Sequence, residues 1–126
     1  MVIEYLVFAI GSGLGGMFRY AISLDPLFRQ AHGAIILDTV LVNTIGSFVA
    51  GFTASLSTRA VIAETRSFLI GFAGGVTTYS AFSLEALHML HSGHWFNTLV
   101  FVMFSVTAYV ASAFAGFVAA DHLEAP

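Results

Sequence analysis

The chain has 126 residues, of which 58% are hydrophobic and only 9% are charged. With a mean hydropathy of +0.90, it has too few polar side chains to cover a water-soluble domain. The formal charge of −3 is too small and scattered to indicate a nucleic-acid partner, and the absence of cysteine excludes disulfides and thiolate metal sites. The sequence therefore predicts an all-α membrane protein.

Four apolar segments of roughly 20 or more residues are each long enough to cross a hydrocarbon core of about 30 Å. They predict four transmembrane helices in contact with membrane lipid, and the short connectors between them predict one domain, 1–126, with no soluble part. The first segment lacks a basic leading region and is longer than the apolar part of a signal peptide, so we expect it to be retained. The predicted helices are 2–23, 34–56, 67–90 and 96–120.

The first predicted helix carries Gly11, Gly15 and Arg19 on one line, four residues apart. Small residues at this spacing allow two helices to approach closely in lipid, and similar lines occur in the second and fourth predicted helices. They predict a compact bundle rather than a wide aqueous pore. Arg19 lies near the end of its helix, where a guanidinium extends to the interface, pairs with an acceptor or serves an anion.

The second predicted helix carries a polar line of Thr39, Asn43 and Ser47, again four residues apart. At a rise of about 1.5 Å per residue, Asn43 lies near the middle of the bilayer. A buried amide needs hydrogen-bond partners, and its NH2 group offers two donors. Two interpretations stay open, namely that the side chain joins helices or that it lines a polar pathway.

The third predicted helix contains adjacent glycines, Gly74 and Gly75, followed two residues later by a pair of threonines. Each glycine in a helix interior costs about 1 kcal/mol relative to alanine, so we expect the helix to break between Gly74 and Thr78. Carbonyl groups freed at the end of a half-helix bind cations in membrane proteins. The backbone oxygens of Gly74 and Thr77 suit a hard cation such as Na+, and two copies around a dimer axis would supply four oxygens.

Beyond the expected break, Tyr79, Phe82 and Ser83 share one helix face, whereas Ser80 lies on another. Aromatic ring edges carry a positive partial charge, and the hydroxyl groups and the Asn43 amide present hydrogen-bond donors. Together these groups predict a site for a small anion. Phe82 also has an ordinary interpretation as a packing residue, because the chain contains 13 phenylalanines.

Further along the third predicted helix, Glu85 lies roughly 8 Å from the end of the segment and is either buried or at the interface. A carboxylate beside an anion route repels the anion unless it is protonated or hydrogen-bonded, so its role stays open. His88, His91 and His94 follow at intervals of three residues. We expect them to be interfacial residues, with metal binding as the alternative.

The arginines decide the predicted orientation of the chain, since it contains no lysine. Arg19 and Arg29 flank the first connector, and Arg59 and Arg66 flank the second, on the opposite side of the membrane. Two positive charges on each side predict a weak or dual orientation. Two copies inserted in opposite directions would pair as an antiparallel dimer, and chance is the alternative explanation when only four residues count.

Three stretches of the chain match motifs of one known family. GGVTTYSAFSLE, from Gly74 to Glu85, resembles the GG-x-[ST]-T-F-S-[ST]-F-S-x-E signature of the Fluc/CrcB fluoride channels. DTVLVNTIGSFVAG, from Asp38, resembles that family's G-T-L-x-x-N-x-x-G stretch, and GSGLGGMFRY, from Gly11, resembles its glycine-rich first helix ending in arginine. The likeness covers the whole chain in length, helix number and motif order, and the third-helix motif is quite specific.

The resemblance implies a passive fluoride channel, not an enzyme, built as an antiparallel dual-topology homodimer with two narrow pores and a Na+ at the dimer centre. It assigns the Na+ to the carbonyl groups of Gly74 and Thr77. Such a channel lets fluoride leave the cytoplasm, which implies a multi-pass protein of the bacterial cytoplasmic membrane. The implied pore residues are Asn43, Tyr79, Phe82 and Ser83, with Thr39, Ser80 and Ser105 as further polar candidates and Arg19 and Glu85 as polar positions of the family type.

Two positions depart from the family pattern. Tyr79 stands where the family usually has Phe, and its hydroxyl either donates to an anion or alters the ring-edge site. Asp38 stands where the family usually has Gly, and an acid near a pore mouth either slows the anion or has no role. Because some members pair unlike subunits with drifted pore positions, a heterodimer with a paralogue is the alternative to the homodimer that the balanced arginine count favours.

Two other classes of protein are considered. Small proton-coupled exporters of cations or drugs are also four-helix dual-topology dimers, but they usually carry an acid in the middle of the first helix, where this chain has only Glu4 at the start. A non-transporting membrane subunit would use the small-residue lines for association and would leave the glycine pair and Asn43 unexplained. A fluoride channel is therefore the preferred hypothesis, with the exporter as the alternative.

Overall fold

The computed structural model describes residues 1–25, 37–56 and 62–124, which form five α-helices and contain no β-strand. The all-α class expected from the composition is confirmed. Two of the arginines in the orientation argument, Arg29 and Arg59, lie outside the described residues. The helices are α1 (Val2–Leu24), α2 (Leu37–Ser55), α3 (Ala63–Val76), α4 (Tyr79–His91) and α5 (Trp95–Glu124).

The described helices provide three stretches that are long and apolar enough to cross a membrane, Val2–Leu24, Ala63–His91 and Trp95–Leu123. The 19-residue helix α2 carries the predicted polar line and is not one of the three. Large apolar side chains are exposed along these helices, whereas polar ones such as Asn43 and Ser105 are buried. Apolar surface outside and polar groups inside are the arrangement of a multi-pass membrane protein, whose outer surface contacts lipid.

Helices α1 and α3 pack with their backbones in contact. The approach is two-sided, since Gly11 and Gly15 face α3 while Gly71 and Gly75 face α1. A Cβ atom at any of these four positions would collide with a backbone carbonyl oxygen of the facing helix. The small-residue line predicted for the first helix therefore forms a helix crossing in which packing between backbones replaces side-chain interdigitation.

Helix α2 packs closely against α5 through Gly51 and Gly116, each of which faces a backbone carbonyl of the other helix. A hydrogen bond from Ser112 Oγ to the carbonyl of Thr44, 2.8 Å long, joins the same two helices. Helix α2 also contacts α3 at Gly46, where a Cβ atom would meet the side chains at the C-terminal end of α3. Helix α2 thus lies between α3 and α5 and holds its polar residues against both.

A tight turn joins α4 to α5. Gly93 has a positive φ of 79°, and its N–H donates to the Leu90 carbonyl at 3.0 Å while the next N–H, of His94, donates to Met89 at 3.0 Å. This pair of bonds is the Schellman motif, which requires a residue in the left-handed region and so favours glycine. The turn returns the chain so that α5 passes alongside α4.

Candidate functional site

The helix break is a two-residue extended link between two capped helix ends. Thr77 and Thr78 have φ/ψ values of −77°/152° and −146°/107°. The Thr77 N–H donates to the Ala73 carbonyl at 3.1 Å, which closes the last turn of α3. Thr78 Oγ1 accepts from the Ala81 N–H at 3.2 Å and caps the first turn of α4. The chain therefore stops one helix and starts the next within the membrane-spanning stretch.

The helix breaks at the end of the expected stretch from Gly74 to Thr78, and the two glycines themselves stay helical. Gly74 and Gly75 both belong to the last turn of α3. Gly75 is required by the crossing with α1, because a Cβ there would collide with the carbonyl oxygen of Ser12. Gly74 faces open space, with no atom within 4 Å of the position its Cβ would take. The pair gives close packing on one side of α3 and an accessible backbone on the other.

The two helix ends at the break carry opposite partial charges. The last carbonyl groups of α3 lack donors within the helix, and the first N–H groups of α4 lack acceptors. The helix dipoles add negative potential at the end of α3 and positive potential at the start of α4. A cation is therefore favoured at the first position and an anion at the second.

The two residues whose carbonyl groups the resemblance assigns to Na+ adjoin an open groove. Gly74 is exposed, and its carbonyl oxygen accepts a long 3.5 Å hydrogen bond from Thr77 Oγ1. An open groove of about 410 Å³ between α2 and α3 is lined by both residues. Oxygen donors at a negative helix end, beside free space, fit a hard cation. Other residues that line the groove include Gly46, Ser47, Thr53 and Arg66.

Arg19 lies against the end of α3. Its Nε donates to the Gly75 carbonyl at 3.5 Å. Of the three roles that the sequence left open for Arg19, the structure therefore shows pairing with an acceptor. A guanidinium at this position complements the negative end of the helix dipole. It contacts the face of α3 that packs against α1, away from the groove.

Asn43 of α2 binds the backbone of the break. Its Oδ1 accepts from the Thr78 N–H at 2.6 Å, and its Nδ2 donates to the Thr78 carbonyl at 3.1 Å. Nδ2 also donates to the hydroxyl of Tyr109 in α5 at 3.4 Å. Both interpretations of the sequence remain compatible with this position, since the amide joins three helices and borders the polar interior.

Phe82 is the centre of an aromatic cluster at the start of α4. Its ring centroid lies 6.0 Å from that of Tyr79, 5.4 Å from Phe101 and 6.2 Å from Tyr109, the last in an edge-on arrangement of 73°. Phe101 is buried, whereas Tyr79 is 81% exposed. Ring edges carry positive partial charge, so the cluster adds to the favourable environment for an anion at this end of α4.

Buried polar groups continue from the cluster between α2, α4 and α5. Thr39 Oγ1 donates to Glu85 Oε1 at 2.6 Å, which gives the carboxylate one of the hydrogen bonds its position requires. Glu85 Oε2 and Ser105 Oγ are buried and have no hydrogen-bond partner among the described residues. Ser105 lies one helical turn from both Phe101 and Tyr109 and so shares their face of α5.

The other predicted hydroxyl groups bind locally. Ser83 Oγ donates to the Tyr79 carbonyl of its own helix at 2.9 Å, and Ser80 Oγ lies 3.3 Å from Thr78 Oγ1. Asp38 Oδ1 accepts from the Thr39 N–H at 2.8 Å in the first turn of α2. An acid in the first turn stabilises a helix, which gives Asp38 a local structural role.

The structure brings most of the predicted residues together and adds residues that the sequence argument missed. Thr39, Asn43, Phe82, Glu85 and Ser105 meet where α2, α4 and α5 converge. The residues of this region that were not predicted from the sequence do carry recognisable sequence signals. Thr78 is a hydroxyl residue just before a helix, and Phe101 and Tyr109 stand four residues before and after the predicted Ser105 on the last helix.

The histidines at the end of α4 are separate from this region. His88, His91 and His94 are exposed. Within residues 1–25, 37–56 and 62–124, no group of three or more His, Cys, Asp or Glu side chains has the arrangement of a metal site. These residues therefore lie at the surface beside the α4–α5 turn.

Comparison with known proteins identifies the family. The profile of the family described as "CrcB-like protein, Camphor Resistance (CrcB)" matches residues 6–117. A Legionella pneumophila (strain Lens) protein named "Fluoride-specific ion channel FluC" is 35% identical over 127 residues, covering 98% of this chain and 93% of that protein. A Rhizobium meliloti (strain 1021) protein of the same name is 40% identical over 114 residues, covering 88% of this chain and 90% of that protein. The resemblance found in the three motifs is thereby confirmed, and the chain belongs to the CrcB family.

Proposed function

We propose that this chain is a fluoride-selective passive channel. The observation that carries the proposal is the break between α3 and α4, where a negative helix end and an aromatic, positive helix start lie two residues apart. The relatives at 35% and 40% identity are named fluoride-specific ion channels. A site that favours both a cation and a small anion within the membrane is what such a channel requires.

The proposed anion route follows the buried polar groups between α2, α4 and α5. Fluoride is small and strongly hydrated, so the route must replace its water with hydrogen-bond donors and ring edges. Phe82 supplies ring edges, and the Ser105 hydroxyl, which has no partner among the described residues, supplies a donor. Thr39 and Asn43 border the same route. Tyr79, Ser80 and Ser83 extend it along the exposed side of α4.

Selectivity for fluoride over chloride follows from the packing of this route. Helices α2 and α5, which flank it, approach closely at Gly51 and Gly116, and close packing leaves little room for a larger ion. The same donors also approach the smaller fluoride more closely than chloride and so interact with it more strongly, which offsets its larger cost of dehydration. The passage of fluoride then needs no coupled proton or substrate movement.

We infer that the carbonyl groups of Gly74 and Thr77 hold a structural Na+. The support comes from the donor set, since backbone oxygens at the negative end of α3 suit a hard cation and Gly74 adjoins open space. When bound, the ion supplies positive charge that balances the carbonyl dipoles of the helix ends.

The proposed assembly is an antiparallel homodimer in which each copy spans the membrane four times. Helix α2 forms the fourth span beside the three spans of the other helices. Tyr79 supports it, because an aromatic residue beside the proposed site is 81% exposed in a single copy. The open face of Gly74 supports it in the same way, since a second copy there would double the carbonyl oxygens. Arg19 and Arg66 provide opposite-side charges consistent with dual insertion. Because Tyr79 and Asp38 depart from the family pattern, a heterodimer with a paralogue is the alternative.

The proposed location is the cytoplasmic membrane of a bacterium, with the helices in contact with lipid and fluoride leaving the cytoplasm. The test is a flux assay with the purified protein in liposomes loaded with potassium fluoride and placed in fluoride-free buffer, with a potassium ionophore added so that K+ efflux balances the charge. We expect rapid fluoride efflux that needs no proton gradient, together with negligible chloride efflux. No fluoride efflux above protein-free liposomes would contradict the proposal, and movement of an organic cation driven by a pH gradient would favour the exporter.

The orientation is tested separately with a single thiol, because the chain has no cysteine of its own. Ser92→Cys places that thiol in the exposed turn between α4 and α5. In intact cells, a membrane-impermeant maleimide should label about half of the protein, and the rest should react only after lysis. Labelling of all or none of the protein from outside would exclude dual insertion and leave the flux prediction standing.

A further inference from the structure

Asn43 satisfies both backbone polar groups of a single residue in the break. Its Oδ1 and Nδ2 bind the N–H and the carbonyl of Thr78 at 2.6 Å and 3.1 Å. Both residues are buried, with exposures of 5% for Asn43 and 9% for Thr78. Without the amide, the buried Thr78 N–H would lose its partner, and burial leaves little water to replace it. The Thr78 carbonyl, which as the N-cap carbonyl also accepts the first bond within α4, would lose one of two donors.

These two hydrogen bonds fix the orientation of two peptide groups. The Thr78 N–H shares its peptide plane with the Thr77 carbonyl, and the Thr78 carbonyl shares its plane with the Tyr79 N–H. All peptide bonds in the described residues are trans, so in each plane the N–H and the carbonyl point in opposite directions. The Thr77 carbonyl and the Tyr79 N–H are therefore both directed away from Asn43.

The donors of Asn43 are committed to the protein. An amide NH2 has two hydrogens, and Nδ2 directs one to the Thr78 carbonyl and the other to the Tyr109 hydroxyl at 3.4 Å. Tyr109 in turn lies edge-on to Phe82, with centroids 6.2 Å apart. The side chain thus connects the break to the aromatic cluster without offering a free donor of its own.

We propose that Asn43 is a positioning residue that sets the direction of the Thr77 carbonyl toward the cation and of the Tyr79 N–H toward the anion. The inference rests on the proposed function and deepens it, since it assigns the shape of the cation site to a residue that does not contact the ion. Because one side chain holds both peptide planes, it also couples the proposed cation and anion sites, so that a change in the affinity of one site alters the affinity of the other.

The test measures Na+ affinity independently of transport. Wild type, Asn43→Leu and Asn43→Ser are purified in detergent, and their thermal unfolding is followed while Na+ replaces a large organic cation at constant ionic strength. Asn43→Leu keeps the branched shape and the number of non-hydrogen atoms of the side chain, and Asn43→Ser is the milder change if the leucine variant does not fold. The matched control is Thr44→Val, whose hydroxyl bonds only the carbonyl of Val40 in its own helix.

We expect the Na+ concentration for half-maximal stabilisation to rise about tenfold or more in the Asn43 variants and to stay within about twofold of wild type in Thr44→Val. The Asn43 variants could instead be less stable at every Na+ concentration and keep the wild-type Na+ concentration for half-maximal stabilisation. That result would show that Asn43 acts only in packing and would overturn the inference. A wild type that gains no stability from Na+ would overturn it together with the cation site. Absent fluoride flux alongside the expected shift would contradict the proposed function alone.

Discussion

Replacing Ser105 with alanine separates the stability of the protein from its transport. The Ser105 side chain is fully buried in α5, and its Oγ has no hydrogen-bond partner among the described residues. An unsatisfied buried hydroxyl costs about 1–3 kcal/mol. Ser105→Ala removes that cost, so we expect the free energy of unfolding to stay unchanged or to rise by up to that amount. If the hydroxyl donates to fluoride, the same variant loses a ligand of the ion and its flux falls.

Ser112 provides the matched control on the same helix. Its Oγ donates to the Thr44 carbonyl at 2.8 Å and joins α5 to α2. A typical hydrogen bond of this kind contributes about 0.5–1.5 kcal/mol, so Ser112→Ala should lower the free energy of unfolding by about that amount. Because Ser112 lies outside the proposed route, the fluoride flux of Ser112→Ala per amount of folded protein should equal that of wild type.

The assay pairs unfolding in detergent with fluoride efflux from liposomes containing equal amounts of folded protein. We expect opposite results for the two variants. Ser105→Ala should be as stable as wild type or more stable but have a reduced fluoride flux, whereas Ser112→Ala should be less stable but have the wild-type flux. Flux equal to wild type in Ser105→Ala would remove Ser105 from the route. Loss of stability in Ser105→Ala comparable to that of Ser112→Ala would show that its hydroxyl has a structural partner and would refute the reasoning.

Three further predictions test other parts of the account. Phe82→Ile should abolish or strongly reduce fluoride flux while the protein stays folded, and Phe104→Ile, at an exposed position of α5, should conduct like wild type in the same efflux assay. Gly15→Val should lower the free energy of unfolding by at least about 1–3 kcal/mol, because the new side chain meets the backbone of α3. Gly16→Val, with no atom within 4 Å of the Cβ position, should leave the free energy of unfolding nearly unchanged. Tyr79→Phe should keep wild-type flux, since the ring edge is retained, and a large loss would assign the function of this position to the hydroxyl.

Much of the architecture follows from composition and spacing. The long apolar segments predict helices, and the line of Gly11 and Gly15 predicts a close helix crossing, because lipid gives helices no hydrophobic reason to associate and only small residues let backbones meet. The polar line through Thr39 and Asn43 likewise predicts which face of α2 is directed inward. These features depend on residue type and helical period, which a sequence displays directly.

The position and shape of the break depend on partners that are distant in the chain. Glycine propensity predicts an interruption at Gly74 and Gly75, yet the α1 backbone packs against Gly75 and keeps both residues helical. The helix ends instead at Thr77 and Thr78, where Asn43 accepts from the Thr78 N–H, which has no partner within a helix, and donates to the Thr78 carbonyl. A side chain 35 residues away in the sequence thus helps to determine where the helix ends, and helical propensity alone contains no information about that contact.

The role of Tyr109 was equally hidden, since a tyrosine in an apolar helix is ordinarily a packing or interfacial residue. Its function in the site depends on the meeting of α4 with α5, where its ring contacts Phe82 and its hydroxyl accepts from Asn43. Its spacing of four residues from Ser105 is a signal, but one that acquires meaning only when the face of α5 is known.

The most direct test is the rate of fluoride efflux from liposomes that contain the wild-type protein and equal internal concentrations of potassium fluoride and potassium chloride. The pH is the same on both sides, and a potassium ionophore carries the compensating charge. The account predicts rapid loss of fluoride and retention of chloride. Equal loss of both ions, or loss of neither, would contradict the claim that the break between α3 and α4 forms part of a fluoride-selective channel.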